Sequence, residues 1–235
     1  MVFVIYLLCL SRAAFCGQAE DSILRGNALI QKKDYDGAIK EYEMALKDDP
    51  KNAKAHLLLG LTYANQGNLD KAIKFTQYAL TFEKSYAAYH NLGLIYANKG
   101  EYQNAIDAYE SALKLNPSSA SAWYQLGLVY AASGNFGGSI TDYKKSIELN
   151  PRFDDAYLGL GSAYYWSGDK AAALEQVKQL RLLKMKDKAE MLDSWIKNKE
   201  AKKKEVNSAT AGASPAPKNQ DEPKPSPSPP AAPKK

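Results

Sequence analysis

The sequence predicts an all-α chain made of one helix pair repeated along its length. Three observations predict it. The stretch from Tyr86 to Ser119 recurs up and down the chain with a 34-residue period. Its apolar positions follow helical spacing: Tyr89, Leu92 and Tyr96 fall at i, i+3 and i+7, on one face of a helix. Pro50, Pro117 and Pro151 stand at the same place in successive copies, and every other proline follows residue 200. Proline cannot continue a helix, so each of the three closes a unit.

Each element has a physical reason. In residues 86–119, Gly93 has no side chain, so a second helix can approach the first closely. Gly100 falls where the chain turns. Ala105 and Ala112 keep the facing side of the second helix small, while Ile106, Tyr109 and Leu113 supply its apolar bulk. Such a pair leaves apolar faces uncovered, and stacking copies buries them. Residues 19–52 carry Gly26, Leu29, Tyr35, Ala38, Tyr42, Ala45 and Pro50 at these offsets. Residues 53–85 carry Leu59, Gly60, Tyr63, Gly67, Ala72 and Ala79, one residue short and without the proline. Residues 120–153 carry Trp123, Leu126, Gly127, Tyr130, Gly134, Tyr143 and Pro151. Residues 154–187 carry Tyr157, Leu160, Gly161, Tyr164, Gly168 and Ala173, then put Leu180 and Met185 where alanine and proline are expected. In the fourth copy Gly137 and Gly138 open the second helix, and Ser139 and Ser146 replace alanines. A helix-interior glycine costs about 1 kcal/mol relative to alanine, so this helix is the expected weak point.

Over about 170 residues these offsets resemble the tetratricopeptide repeat family, of bacterial exported type. The resemblance implies a right-handed superhelical solenoid of five helix-turn-helix repeats (19–52, 53–85, 86–119, 120–153, 154–187). Residues 188–204 then form a capping helix whose Leu192 and Trp195 cover the fifth repeat, since a solenoid needs a terminal element with a polar outer face.

Both ends carry a further reading. Val2–Leu10 is a short apolar run, and Ala14-Phe15-Cys16 offers small residues for cleavage before Gly17. Residues 1–16 therefore read as a secretory signal peptide, with a retained N-terminal membrane segment, a lipidated Cys16 or a helix packed on the first repeat as alternatives. Arg12 follows the run and no basic residue precedes it, which predicts a start codon further upstream. Residues 205–235 are mostly Ala, Ser, Pro and Lys, including PKPSPSPP, and predict a disordered tail.

Composition limits the chemistry. Residues 170–200 and 201–235 carry net charges of +3 and +4 against a total of +5, so the chain upstream is slightly acidic and the basic charge belongs to the C-terminal end. A nucleic-acid or anionic-polymer partner is therefore left to the tail. The two cysteines, Cys9 and Cys16, both lie in the leader. The two histidines, His56 and His90, lack a second His or Cys at ligand spacing. His56 reads as a packing residue and His90 as facing the inner surface, with the acidic residues on outer faces. No nucleophile elbow, phosphate loop or acid–base pair is found, so no catalytic, cofactor-binding or metal-ligating residue is assigned, and the chain reads as no enzyme.

In the family, first helices line a groove for an extended peptide or a partner helix. Carrying its groove positions over gives Asn27, Ile30 and Gln31; Leu57, Leu61 and Asn65; His90, Asn91, Leu94 and Asn98; Tyr124, Gln125 and Leu128; and Ser162, Tyr165 and Trp166. Leu61, Leu94 and Leu128 recur at one offset, which suits interhelix packing as well as binding. The family's clamp for a C-terminal carboxylate is broken here: Ile23, Leu58, Ala87 and Asn91 stand where lysine, asparagine, lysine and arginine are required. A neutral groove of leucines, amides and tyrosines fits an apolar peptide or helix. The expected function is a non-enzymatic scaffold for a protein or peptide ligand in a bacterial cell-envelope assembly, in the periplasm. Two alternatives are a polyanion tether through the tail and an accessory subunit of an envelope secretion or biosynthesis complex. Self-association through the terminal repeats is a further possible contact, and membrane contact is left to the N-terminal segment.

Overall fold

Small polar residues set where the helices begin. Asp34, Asn52, Asn68, Ser85, Ser119, Asn135 and Asp169 each accept a hydrogen bond from the backbone N–H three residues on. Each satisfies one amide that a helix N-terminus leaves unpaired. The computed structural model describes residues 2–211, with side chains for residues 17–206. The described residues form eleven helices: α1 (Val2–Gln31), α2 (Tyr35–Asp48), α3 (Ala53–Asn65), α4 (Leu69–Phe82), α5 (Tyr86–Lys99), α6 (Tyr102–Leu115), α7 (Ala120–Ala132), α8 (Phe136–Leu149), α9 (Asp154–Trp166), α10 (Lys170–Leu182) and α11 (Lys186–Ala211). Turns between paired helices use left-handed backbone at Gly67, Gly100, Gly134 and Gly168, whereas Lys33 holds that conformation in the first turn.

The helices fall into two compact units, residues 1–117 and 118–235. In the first, α1/α2, α3/α4 and α5/α6 form hairpins that stack through α2 on α3 and α4 on α5. In the second, α7/α8 and α9/α10 are the hairpins, α8 packs on α9, and α11 packs on both α9 and α10. Within each unit first helices also meet: α3 touches α5, α7 touches α9, and α9 touches α11. Among the described residues no packed pair joins α2 to α4, α4 to α6 or α8 to α10. First helices thus converge on an inner face while second helices spread apart.

The repeat residues explain the packing. A Cβ on Gly93 would lie 2.9 Å from the ring of Tyr109, so only glycine lets this fully buried tyrosine seat against α5. Gly26 with Tyr42 and Gly127 with Tyr143 repeat the arrangement. The second repeat has the smaller Thr76 in the tyrosine's place. Ala38, Ala45, Ala72, Ala105 and Ala112 are fully buried at the helix crossings.

Three structural details depart from or extend the sequence reading. The expected weak helix α8 is continuous, and Ser146, standing for an alanine, donates a 2.8 Å hydrogen bond to the Ala120 carbonyl of α7. Asp142 on that helix is buried, so the acidic residues are not all on outer faces. The last helix starts at Lys186 and runs to Ala211, beyond the expected 188–204, because no proline intervenes before Pro215. Leu192 is fully buried against Gly161, and Lys170–Glu200 (2.9 Å), Arg181–Asp193 (3.4 Å) and Lys188–Asp155 ion pairs tie α11 to α9 and α10. At the other end, α1 runs unbroken through Cys16-Gly17, where leader cleavage was expected. No helix among the described residues is long and apolar enough to cross a membrane. The expected disordered tail, from residue 212 onward, lies outside the described residues.

Candidate inner-face binding surface

The candidate residues sit on the converging first helices, and the structure sorts them by what else they hold. In the first unit, Asn27 has a core duty: its Oδ1 accepts a 2.8 Å hydrogen bond from the hydroxyl of buried Tyr42. It is therefore a structural partner rather than a free contact. Ile23, at the first clamp position, is fully buried and could hold no carboxylate whatever its type. Asn65 and Asn98 are exposed, Leu57 is half-buried, and Leu94 is 37% exposed, so this repeated leucine is not simply interhelix packing.

His90 is more enclosed than an open groove residue. Its ring meets Tyr109 edge-on at 5.4 Å and Tyr86 at 5.5 Å, and its Nε2 is buried without a hydrogen-bond partner. Burial holds its pKa below the usual imidazole value, partly offset by a hydrogen bond to the Asn91 side chain. His56, as expected, is a packing residue: it is buried among Phe75, Tyr78 and Phe82, with Nε2 3.0 Å from the Pro50 carbonyl. Near this face an open cleft of about 240 Å³ lies between α5 and α6, bounded by Tyr89, Tyr96, Asn104, Asp107 and Ser111.

In the second unit, Tyr124 packs on Phe153 (4.9 Å) and Tyr143 (5.7 Å), and burial pushes its hydroxyl up to about 12. Leu128 packs in the same cluster. Both therefore serve the core, leaving half-buried Gln125 as the open candidate on α7. Tyr165 and Trp166 come together with Trp195 of α11, a residue assigned at first only to capping. Tyr165 and Trp195 meet edge-on at 5.3 Å, Trp166 and Trp195 at 6.2 Å, and Phe136 stacks on Trp166 at 6.4 Å. The Lys199 ammonium lies 5.1 Å from the Trp166 ring centre and 5.8 Å from that of Trp195. Glu200 accepts hydrogen bonds from the Tyr165 hydroxyl (3.0 Å) and Lys170 (2.9 Å). Burial, then Glu200, pushes the Tyr165 hydroxyl up to about 12. This aromatic cage was missed because Trp195 lies outside the repeat register, although its i, i+4 spacing to Lys199 on one helix was readable.

Among the described residues no three His, Cys, Asp or Glu side chains converge on a metal-sized site. The chemistry of this surface is that of contact: amides, aromatic rings and aliphatic side chains on a rigid helical frame.

An array of paired helices with converging first helices defines a helical-repeat protein. Family models described as "TPR repeat" match residues 26–67, 93–134 and 129–168, and one described as "Tetratricopeptide repeat" matches residues 53–84. The chain belongs to the tetratricopeptide repeat family. It is similar to a crystal structure of MamA, at 37% identity and TM-score 0.65, over 70% of this chain and 96% of that one. It shares the fold with MamA residues 41-end from Desulfovibrio magneticus RS-1, at 19% identity and TM-score 0.67, over 72% of this chain and 97% of that one. It also shares the fold with YrrB, described as a TPR protein with an unusual peptide-binding site, at 21% identity and TM-score 0.63, over 75% of this chain and 95% of that one. No curated protein sequence matches the chain.

Proposed function

We propose that this chain is a non-enzymatic scaffold that holds a peptide or helix of a partner protein against the inner faces of its repeats, within a cell-envelope assembly. One observation carries the reading. The first helices converge, and they present amide and aliphatic side chains that differ from repeat to repeat and have no core duty: Asn65, Asn91, Leu94, Asn98 and Gln125. Variable side chains on an invariant frame provide recognition, and neutral amides pair with backbone groups of an extended or helical ligand. The shared fold with YrrB, a protein with a peptide-binding site, supports this reading. The envelope setting rests on the leader-like run Val2–Leu10.

The test is affinity capture from an envelope extract with the full chain and with Asn91→Arg and Gln125→Arg. Neither position fills the core, so both variants keep the wild-type melting temperature. A partner captured by the wild type and lost at least tenfold by either variant supports the reading. Equal capture by all three baits refutes an inner-face contact at these positions. N-terminal sequencing of the mature protein tests export: a start near Gly17 supports it, and an intact Met1 on exported or cytoplasmic protein counts against cleavage.

A further inference from the structure

We propose that the aromatic cage of Trp166, Trp195 and Phe136 docks the chain's own proline-rich C-terminal segment, residues 224–233, in cis. The cage is a receptor in shape and chemistry. Its rings are half-buried, so their faces are neither sealed in a core nor fully solvated. Phe136 and Trp166 lie nearly parallel, at 15°, and Trp195 stands at 69° to Trp166, which makes a corner with two aromatic walls. Lys199 sits over both tryptophans, so the corner already accepts an ammonium. Glu200 places a carboxylate beside it.

The segment matches that chemistry. A polyproline II helix has three residues per turn. Lys224, Pro227, Pro230 and Pro233 follow one another at that interval, so in this conformation they share one edge: a cation followed by three proline rings. Aromatic-lined grooves bind proline edges of this kind, because the preformed helix loses little entropy on binding. Here the prolines stack on the tryptophan corner while Lys224 reaches the Lys199 position or the Glu200 carboxylate.

Reach permits it. From Trp195 to the end of α11 at Ala211 is about 24 Å along the helix. The connecting residues 212–223 span up to about 40 Å when extended, enough to bring Lys224 back to the cage. A tether of this length holds the segment at an effective concentration of about a millimolar, so a contact that is weak between separate molecules is populated within one. The docked segment would cover Tyr165 and Trp166 and so compete with a partner at that end of the inner face; this regulatory consequence rests on the function proposed above, whereas the docking does not.

The chain has three tryptophans, of which two form the cage, and Trp123 serves as reference. The experiment compares indole N–H resonances of the 15N-labelled full chain with those of the full chain bearing Pro227→Ala, Pro230→Ala and Pro233→Ala. These changes lie outside the packed repeats and leave folding intact. The Trp166 and Trp195 resonances shift between the two, Trp123 does not, and a synthetic peptide of residues 222–235 added to the variant moves both resonances back. Superimposable spectra, or no response to millimolar peptide, overturn the proposal. So does a shift that vanishes on hundredfold dilution, which places the contact between copies. Because the readout needs no partner protein, it stands or falls separately from the capture experiment.

Discussion

At the scale of single residues, the repeat offsets act as a natural mutation series. Asn27 gives the Tyr42 hydroxyl an acceptor at 2.8 Å, whereas the third repeat puts Leu94 at the same offset and leaves the Tyr109 hydroxyl buried without a partner. A buried unpaired hydroxyl is costly, and a restored hydrogen bond contributes about 1 kcal/mol. Leu94→Asn should therefore raise stability by about 1 kcal/mol, since the leucine is 37% exposed and its loss removes little burial. Urea denaturation measures the gain, and it should disappear in a Tyr109→Phe background, where no hydroxyl needs an acceptor. An equal gain in both backgrounds would show that the hydrogen bond is not its cause. The same comparison explains a limit of sequence reading. Asparagine suits a groove and a buried tyrosine equally, so Asn27 looked like a binding residue until its partner was visible. Tyr124 and His90 were misplaced for the same reason: an amphipathic ring can face a ligand or complete a core, and spacing alone does not choose.

At the scale of elements, the helix pairs were legible because their determinants are local. Caps, turn glycines and small-for-large exchanges such as Gly93 with Tyr109 each lie within one repeat. The aromatic cage was not, because it joins α8, α9 and α11, and Trp195 belongs to no repeat. The weak point expected in α8 can now be resolved. Gly137 faces open space, its nearest neighbour being Asn135 Oδ1 at 3.8 Å from an added Cβ, whereas a Cβ on Gly138 would press on the Tyr130 ring at 3.1 Å. Gly137→Ala should stabilise α8 by about 0.5–1 kcal/mol, while Gly138→Ala gains little because the ring must give way. Native-state hydrogen exchange distinguishes them: α8 amides should open before those of α2, α4 and α6 in the wild type, and Gly137→Ala alone should slow them several-fold. If α8 is the best protected second helix, the Ser146 bond to Ala120 outweighs both glycines and the expectation fails.

At the scale of the whole molecule, composition located the basic charge at the C-terminal end but could not show which ionisable groups are buried, and burial decides the response to pH. His90 is held neutral, with its pKa below the ordinary 6.5. The unfolded chain therefore binds a proton that the folded one refuses, and stability falls as pH drops below about 6.5, levelling off under the folded pKa. Glu101, Glu175 and Glu200 have pKa values lowered by hydrogen bonds to Lys99, Lys178 and Lys170 in turn. Their contribution is present above the ordinary carboxylate value and disappears as pH falls through the lowered ones; all three are solvent-exposed, so it is small. The alkaline side has the opposite sign. Burial raises the hydroxyls of Tyr42, Tyr109, Tyr124, Tyr143, Tyr157 and Tyr165 above the ordinary 10.0. These tyrosines favour folding below pH 10 and turn against it as the unfolded chain ionises first, so stability falls steeply above that pH. The melting temperature should thus be flat between about pH 6.5 and 10 and decline on both sides. His90→Gln should flatten the first part of the acid decline, between about pH 6.5 and 5, without changing the alkaline one. Tyr109→Phe should make the alkaline decline shallower and leave the acid side as it was. A profile whose alkaline limb ignores that substitution would mean that the core opens to solvent before the tyrosine ionises, and that the repeats fail by fraying rather than by titration.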